Sequence, residues 1–127
     1  MSTNAERGRD YAQANGIAKS VTSLEDITGD AGIDAVYIST TNELHRDQCI
    51  AAAKAGKHVL CEKPMTMTVE EGEEIVATAR AAGRICAVNY GYTGYALVRH
   101  MRAMVARGDI GKVRLVVAEF AHGHHAN

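Results

Sequence analysis

The stretch Gly56-Lys57-His58-Val59-Leu60-Cys61-Glu62-Lys63-Pro64-Met65 sets an acid and a base where an apolar run stops, against the only proline of the chain. Adjacent residues at a strand end point to opposite faces, so Glu62 and Lys63 need not share a partner. A lysine held at such an end can hydrogen-bond a hydroxyl or carbonyl oxygen. Its ammonium then stabilises negative charge developing on that oxygen, as in a hydride transfer. The plain alternative is an exposed ion pair at a charged turn, of little energetic consequence. Two other apolar runs end in the same way. Residues 35–39 are followed by Thr40, Thr41, Asn42 and, one helical turn on, His45; residues 85–88 are followed by Asn89 and Tyr90. Thr41 and Asn42 also read as helix caps, and His45 as an ordinary surface histidine.

The elements that must position these residues follow from the pattern. Ala35–Ser39, His58–Cys61 and Ile85–Val88 are short apolar runs without polar alternation, which suits strands buried on both faces of a parallel sheet. An alanine-rich segment ended by Gly56 separates the first two. A second helix, with Thr68 and Glu71 as capping box and Ile75, Val76 and Ala79 as inner stripe, stops at Gly83 before the third. The strands start at 35, 58 and 85, the spacing of right-handed β-α-β crossovers. Open sheets of this kind bind ligands beyond the carboxyl ends of their strands. Three strand ends rich in polar groups therefore read as one ligand-binding rim.

On either side, residues 4–15 read as a helix stopped by Gly16, residues 19–23 as a short strand and 24–30 as a helical turn. After Asn89 a glycine- and tyrosine-rich loop leads to a helix ended by Gly108. Its Leu97, Val98, Met101, Met104 and Val105 read as core, and residues 113–120 as a strand.

The chain has 127 residues, 46% hydrophobic and 23% charged, with a net charge of −1. Interspersed charges leave no footprint for nucleic acid or an anionic membrane, and no apolar run approaches a bilayer span. Cys49, Cys61 and Cys86 form no CxxC pair and read as reduced apolar residues, which with the polar opening suggests the cytosol. His122, His124 and His125 near the end lack an acid or cysteine neighbour and read as solvated rather than metal-binding. No metal site is expected.

Residues 34–76, from Asp34-Ala35-Val36-Tyr37 through "AGKHVLCEKP" to the helix opened by Thr68, resemble the Gfo/Idh/MocA oxidoreductases. The resemblance extends through Asn89 to "ARGDIGKV". Within the family, "STNAERG", "NGIAKSVTS" and "STTNELHRDQ" look most like the 1,5-anhydro-D-fructose reductase branch. Residues 89–114 look more like other branches, which leaves the substrate open.

The resemblance implies a partial Rossmann domain over 1–92, α/β with parallel strands, and over 93–127 the first helix and strand of a C-terminal substrate and oligomerisation domain. It implies that Ser2, Thr3 and Arg7 meet the adenosine ribose. Serine and arginine there, with no acid, favour NADP(H), with NAD(H) as the alternative. Thr40, Thr41, Asn42, Glu43, Leu44 and His45 would line the cofactor, with Glu62, Lys63 and Asn89 at the nicotinamide. Lys63 is the catalytic residue of the matching motif, acting on a sugar- or polyol-like substrate.

The family's first strand and glycine-rich phosphate turn have no match, and the second domain is cut short. The 127 residues are therefore expected to be a fragment with little or no catalysis alone. The alternative is a non-catalytic module that pairs through its exposed sheet edge. In the strand order 3-2-1-4-5-6 the run 35–39 loses its inner neighbour, so homo-oligomerisation or aggregation through that edge is expected, with residues 1 to about 30 displaced.

Overall fold

The computed structural model describes residues 1–119 and 121. The chain divides into two units, Met1–Tyr90 and Gly91–Asn127.

In the first unit α1 spans Ala5–Ala14 and α2 spans Leu24–Thr28. Each starts where a side chain accepts from an otherwise orphaned backbone N–H: Asn4 from Arg7 and Ser23 from Asp26. Then come β1 (Ala35–Ile38), a 3₁₀ turn (Asn42–Leu44), α3 (His45–Lys54), β2 (His58–Glu62), α4 (Val69–Ala81) and β3 (Cys86–Asn89). The strands form one parallel sheet in the order β1-β2-β3, with Ala35 opposite His58 and Glu62 opposite Asn89. The β-α-β-α-β pattern read from the apolar runs is thus present, as is the Thr68 cap, whose hydroxyl accepts from Glu71 N–H.

The core lies on one face of the sheet. Val36, Ile38, Val59 and Cys61 pack against Cys49, Ile50 and Ala52 of α3 and Ile75 of α4. Each fully buried aliphatic side chain contributes roughly 1.5–3 kcal/mol. The opposite face corrects the expectation of burial on both sides: Tyr37 and Leu60 are 56% and 40% exposed. The strands alternate after all, but with apolar residues on both faces, so polarity could not reveal it. Val76 is likewise exposed, because α4 turns only Ile75 and Ala79 inward.

Residues 19–23 form no strand, since Ser2 N–H to Val21 O is the one backbone hydrogen bond these residues make to an extended neighbour. Gly8 of α1 sits close above them; a Cβ there would lie 2.6 Å from Ser20 Oγ and 3.0 Å from Ser2 Cβ. Glycine at that position is what lets α1 approach.

In the second unit a 3₁₀ turn (Gly91–Gly94) precedes α5 (Ala96–Arg107), which Gly108 ends at φ 78°. Tyr92 and Tyr95 meet edge-on at 5.4 Å. The Leu97-Val98-Met101-Met104-Val105 stripe is not core: Leu97 is 82% exposed and no residue of α5 is buried. Residues 113–119 form no strand, because no strand among the described residues pairs with them. Phe120, which would end that run, and His122, His124 and His125 lie outside the described residues. No helix of the described residues is long and apolar enough to cross a membrane.

Candidate functional site

The parallel register brings the carboxyl ends of β1, β2 and β3 to one rim. Its centre is the Glu62 carboxylate. One oxygen, Oε1, accepts from Tyr37 Oη at 2.5 Å and from Asn89 Nδ2 at 2.7 Å, while Oε2 accepts from the Lys63 N–H at 3.2 Å. The three side chains come from three strands and share the open face of the sheet. The Tyr37 hydroxyl, then Asn89 and then the Lys63 N–H hold the Glu62 carboxyl below its ordinary value. The same bond raises the Tyr37 phenol, because losing its proton would set two anions against each other.

This changes the reading of Glu62-Lys63. The two make no ion pair among the described residues, and the Lys63 ammonium is exposed with no salt-bridge partner. The carboxylate is committed across the sheet and the ammonium is left available. The bond between Lys63 and Pro64 is cis.

Next to this centre lies the loop after β1. Thr40 Oγ1 donates to Gln48 Oε1 at 2.8 Å and Thr41 Oγ1 to Glu43 Oε1 at 2.7 Å. The Thr41 hydroxyl lowers the Glu43 carboxyl. Neither Thr41 nor Asn42 caps α3 through its side chain; Leu44 holds that position without a side-chain bond. Thr40, Thr41, Asn42, Glu43 and Leu44 all lie exposed along the rim.

His45 does not sit on the surface. It is 0% exposed, with Nδ1 2.8 Å from Pro64 O and Nε2 3.2 Å from Thr40 O. Both ring nitrogens face carbonyl oxygens, so the ring joins the β1 loop to the turn that carries Lys63.

Ser2 and Arg7 line a second concavity of about 260 Å³ together with Gly8, Lys19 and Ser20. The Arg7 guanidinium has no ion pair among the described residues, and Ser2 Oγ donates to Asn4 O at 2.9 Å. Thr3 is exposed but lines no part of that concavity.

Sequence reasoning missed Tyr37. Inside an apolar run it reads as core, and only the register shows that its hydroxyl reaches Glu62. It missed Lys57 too, 7% exposed, whose Nζ donates to Asp30 O at 2.7 Å at the opposite sheet end.

Residues 1–90 match the model of an oxidoreductase family with an NAD-binding Rossmann fold. The chain is 56% identical over 112 residues to a 1,5-anhydro-D-fructose reductase of Ensifer adhaerens, covering 88% of this chain and 34% of that protein. A levoglucosan dehydrogenase solved with NADH and levoglucosan superposes with a TM-score of 0.82 at 32% identity, over 87% of this chain and 29% of the other. A 3-ketoreductase of Actinomadura kijaniata, solved with TDP-benzene and NADP, gives a TM-score of 0.74 at 28% identity, over 89% and 34%. The chain thus spans about a third of the length of these proteins. A parallel sheet that gathers Glu62, Lys63 and Asn89 on one rim, within a match over residues 1–90, places the chain in the Gfo/Idh/MocA family of NAD-binding Rossmann-fold oxidoreductases.

Proposed function

We propose that these residues form part of an NADP(H)-dependent oxidoreductase acting on a sugar- or polyol-like carbonyl or alcohol. The observation that carries this is the division of labour at the rim: Glu62 is held by Tyr37 and Asn89, while the Lys63 ammonium is exposed and has no ion-pair partner among the described residues. A bound nicotinamide supplies or accepts the hydride. Lys63 Nζ donates a hydrogen bond to the substrate oxygen and stabilises the charge that grows there. Glu62 fixes the turn from which Lys63 projects, and Thr40, Thr41, Asn42, Glu43, Leu44 and Asn89 line the same rim.

At the other end Ser2 and Arg7 fit a 2′-phosphate: a hydroxyl and an unpaired guanidinium share one concavity. Thr3 stands next to them. Residues 1–92 then belong to the dinucleotide-binding domain and 93–127 to the start of the substrate domain, in a protein of the cytosol. The 127 residues alone are expected to turn over little or no substrate.

The reading is tested by grafting the 112 matched residues into the Ensifer adhaerens reductase at the equivalent positions and measuring kcat/KM with both cofactors. Preference for NADPH, reduced at least about tenfold by Arg7→Ala, is expected; tenfold is roughly 1.4 kcal/mol. Preference for NADH unchanged by Arg7→Ala would overturn the cofactor assignment.

A second reading has its own observation. Among the described residues β1 has a strand neighbour on one side only, which leaves its other row of backbone groups to pair with another chain. Sedimentation of the 127-residue chain is then expected to show self-association, and a monomer at all concentrations would refute it.

A further inference from the structure

We infer that His45 is a positioning residue: its imidazole staples the Pro64 carbonyl to the end of β1 and so fixes the turn from which Lys63 projects. The functional half of this inference rests on the reading of Lys63 given above; the staple itself does not. The ring is fully buried at the first turn of α3, and its nitrogens lie 2.8 Å from Pro64 O and 3.2 Å from Thr40 O. The two carbonyls belong to different loops, one after β2 and one after β1. Among the described residues no other side-chain hydrogen bond joins those two loops: Thr40 bonds to Gln48 of α3, Thr41 to Glu43, and Glu62 reaches β1 and β3 on the open face.

The chemistry selects one donor. A neutral imidazole carries a single N–H, and a carbonyl oxygen can only accept. Two acceptors therefore compete for that proton. The shorter contact assigns it to Nδ1, which donates to Pro64 O in either protonation state of the ring. The flat ring also fills the space between the loops, with Nε2 set against the Thr40 carbonyl at 3.2 Å. Losing the donor would leave the Pro64 carbonyl without that bond and the turn without its side-chain link to the loop after β1.

The test uses the 127-residue chain without cofactor, so its outcome is independent of whether a nicotinamide binds. In ¹⁵N-labelled protein the His45 ring nitrogens report directly which of them is protonated; Nδ1 is expected. Substitution separates the two contacts, because an asparagine amide occupies the place of Nδ1 and a glutamine amide that of Nε2. In His45→Phe the Pro64 carbonyl ¹³C resonance is expected to lose the downfield displacement of a hydrogen-bonded carbonyl. In His45→Asn that displacement returns, while in His45→Gln it stays lost. A proton found on Nε2 and none on Nδ1, or an asparagine variant no better than glutamine at Pro64, overturns the staple. So does an equal loss of chemical-shift dispersion throughout the sheet in all three variants, which would make His45 a core residue only. If His45→Phe fails to fold, the wild-type ring and the asparagine–glutamine pair still decide.

Discussion

Gly8→Ala sets two opposing effects against each other. Mid-helix glycine is less favourable than alanine by about 1 kcal/mol, so propensity alone says the substitution stabilises α1. The structure says the reverse. The new methyl would meet Ser20 Oγ at 2.6 Å, closer than real contacts come, and Ser2 Cβ at 3.0 Å, tight enough that the neighbour must give way. The hydroxyl can rotate away at roughly 0.5–1.5 kcal/mol, but Ser2 Cβ moves only with its backbone. Overpacking of this kind costs about 1–3 kcal/mol. The net expectation is a loss of about 1 kcal/mol, localised to the junction of α1 with residues 2 and 20. Hydrogen exchange of the α1 amides reads it as an increase of about fivefold, with the β2 amides unchanged. Ser20→Ala, which removes the nearer obstacle, should recover most of that loss in the double variant. Exchange in α1 that slows fivefold in Gly8→Ala would refute the close approach, and with it the concavity that gathers Ser2 and Arg7.

Two further outcomes follow from the site and the core. Glu62 has a lowered pKa, so the stability its bonds contribute is present above the ordinary carboxylate value, about 4.3, and lost as pH falls through the lower native value. Tyr37 is raised, so its contribution is fully present below the ordinary phenol value of about 10 and is lost as pH rises through the higher native value. The Asn89 side-chain amide resonance should stay constant between those limits and move outside them. Movement near pH 6 would contradict the network. Among the cysteines, Cys49 and Cys61 are 0% exposed and Cys86 is partly exposed, its thiol drawn down to about 7 by a hydrogen bond from Cys49. Iodoacetamide should therefore label Cys86 first in the native chain; labelling of Cys61 at the same rate would mean the core opens.

The sheet was legible because Val36, Ile38, Val59 and Cys61 stand in short runs between glycine-stopped helices, and Gly56 and Gly83 take the positive φ that such stops need. The helix cap at Thr68 is local and was equally open to reading, whereas Asn4, read as part of its helix, and Ser23, read as part of a strand, are the caps of α1 and α2. What failed depends on partners distant in sequence. Residues 113–119 have strand chemistry but no strand to pair with, and Leu97 and Met101 have core chemistry with no surface covering them among the described residues. At the site, residue types named Lys63, Glu62 and Asn89. The bond from Tyr37 to Glu62 requires the register, and the burial of His45 requires the path of the chain after Pro64. Neither is written in local spacing.

The central claim is that Lys63 acts on substrate rather than on the fold. Its most direct measurement is kcat/KM for Lys63→Ala in the grafted Ensifer adhaerens reductase, alongside thermal unfolding of the same variant. The account predicts a loss of at least about tenfold in kcat/KM with little change in melting temperature. An active graft whose rate is untouched by Lys63→Ala would return Glu62-Lys63 to an ordinary charged turn.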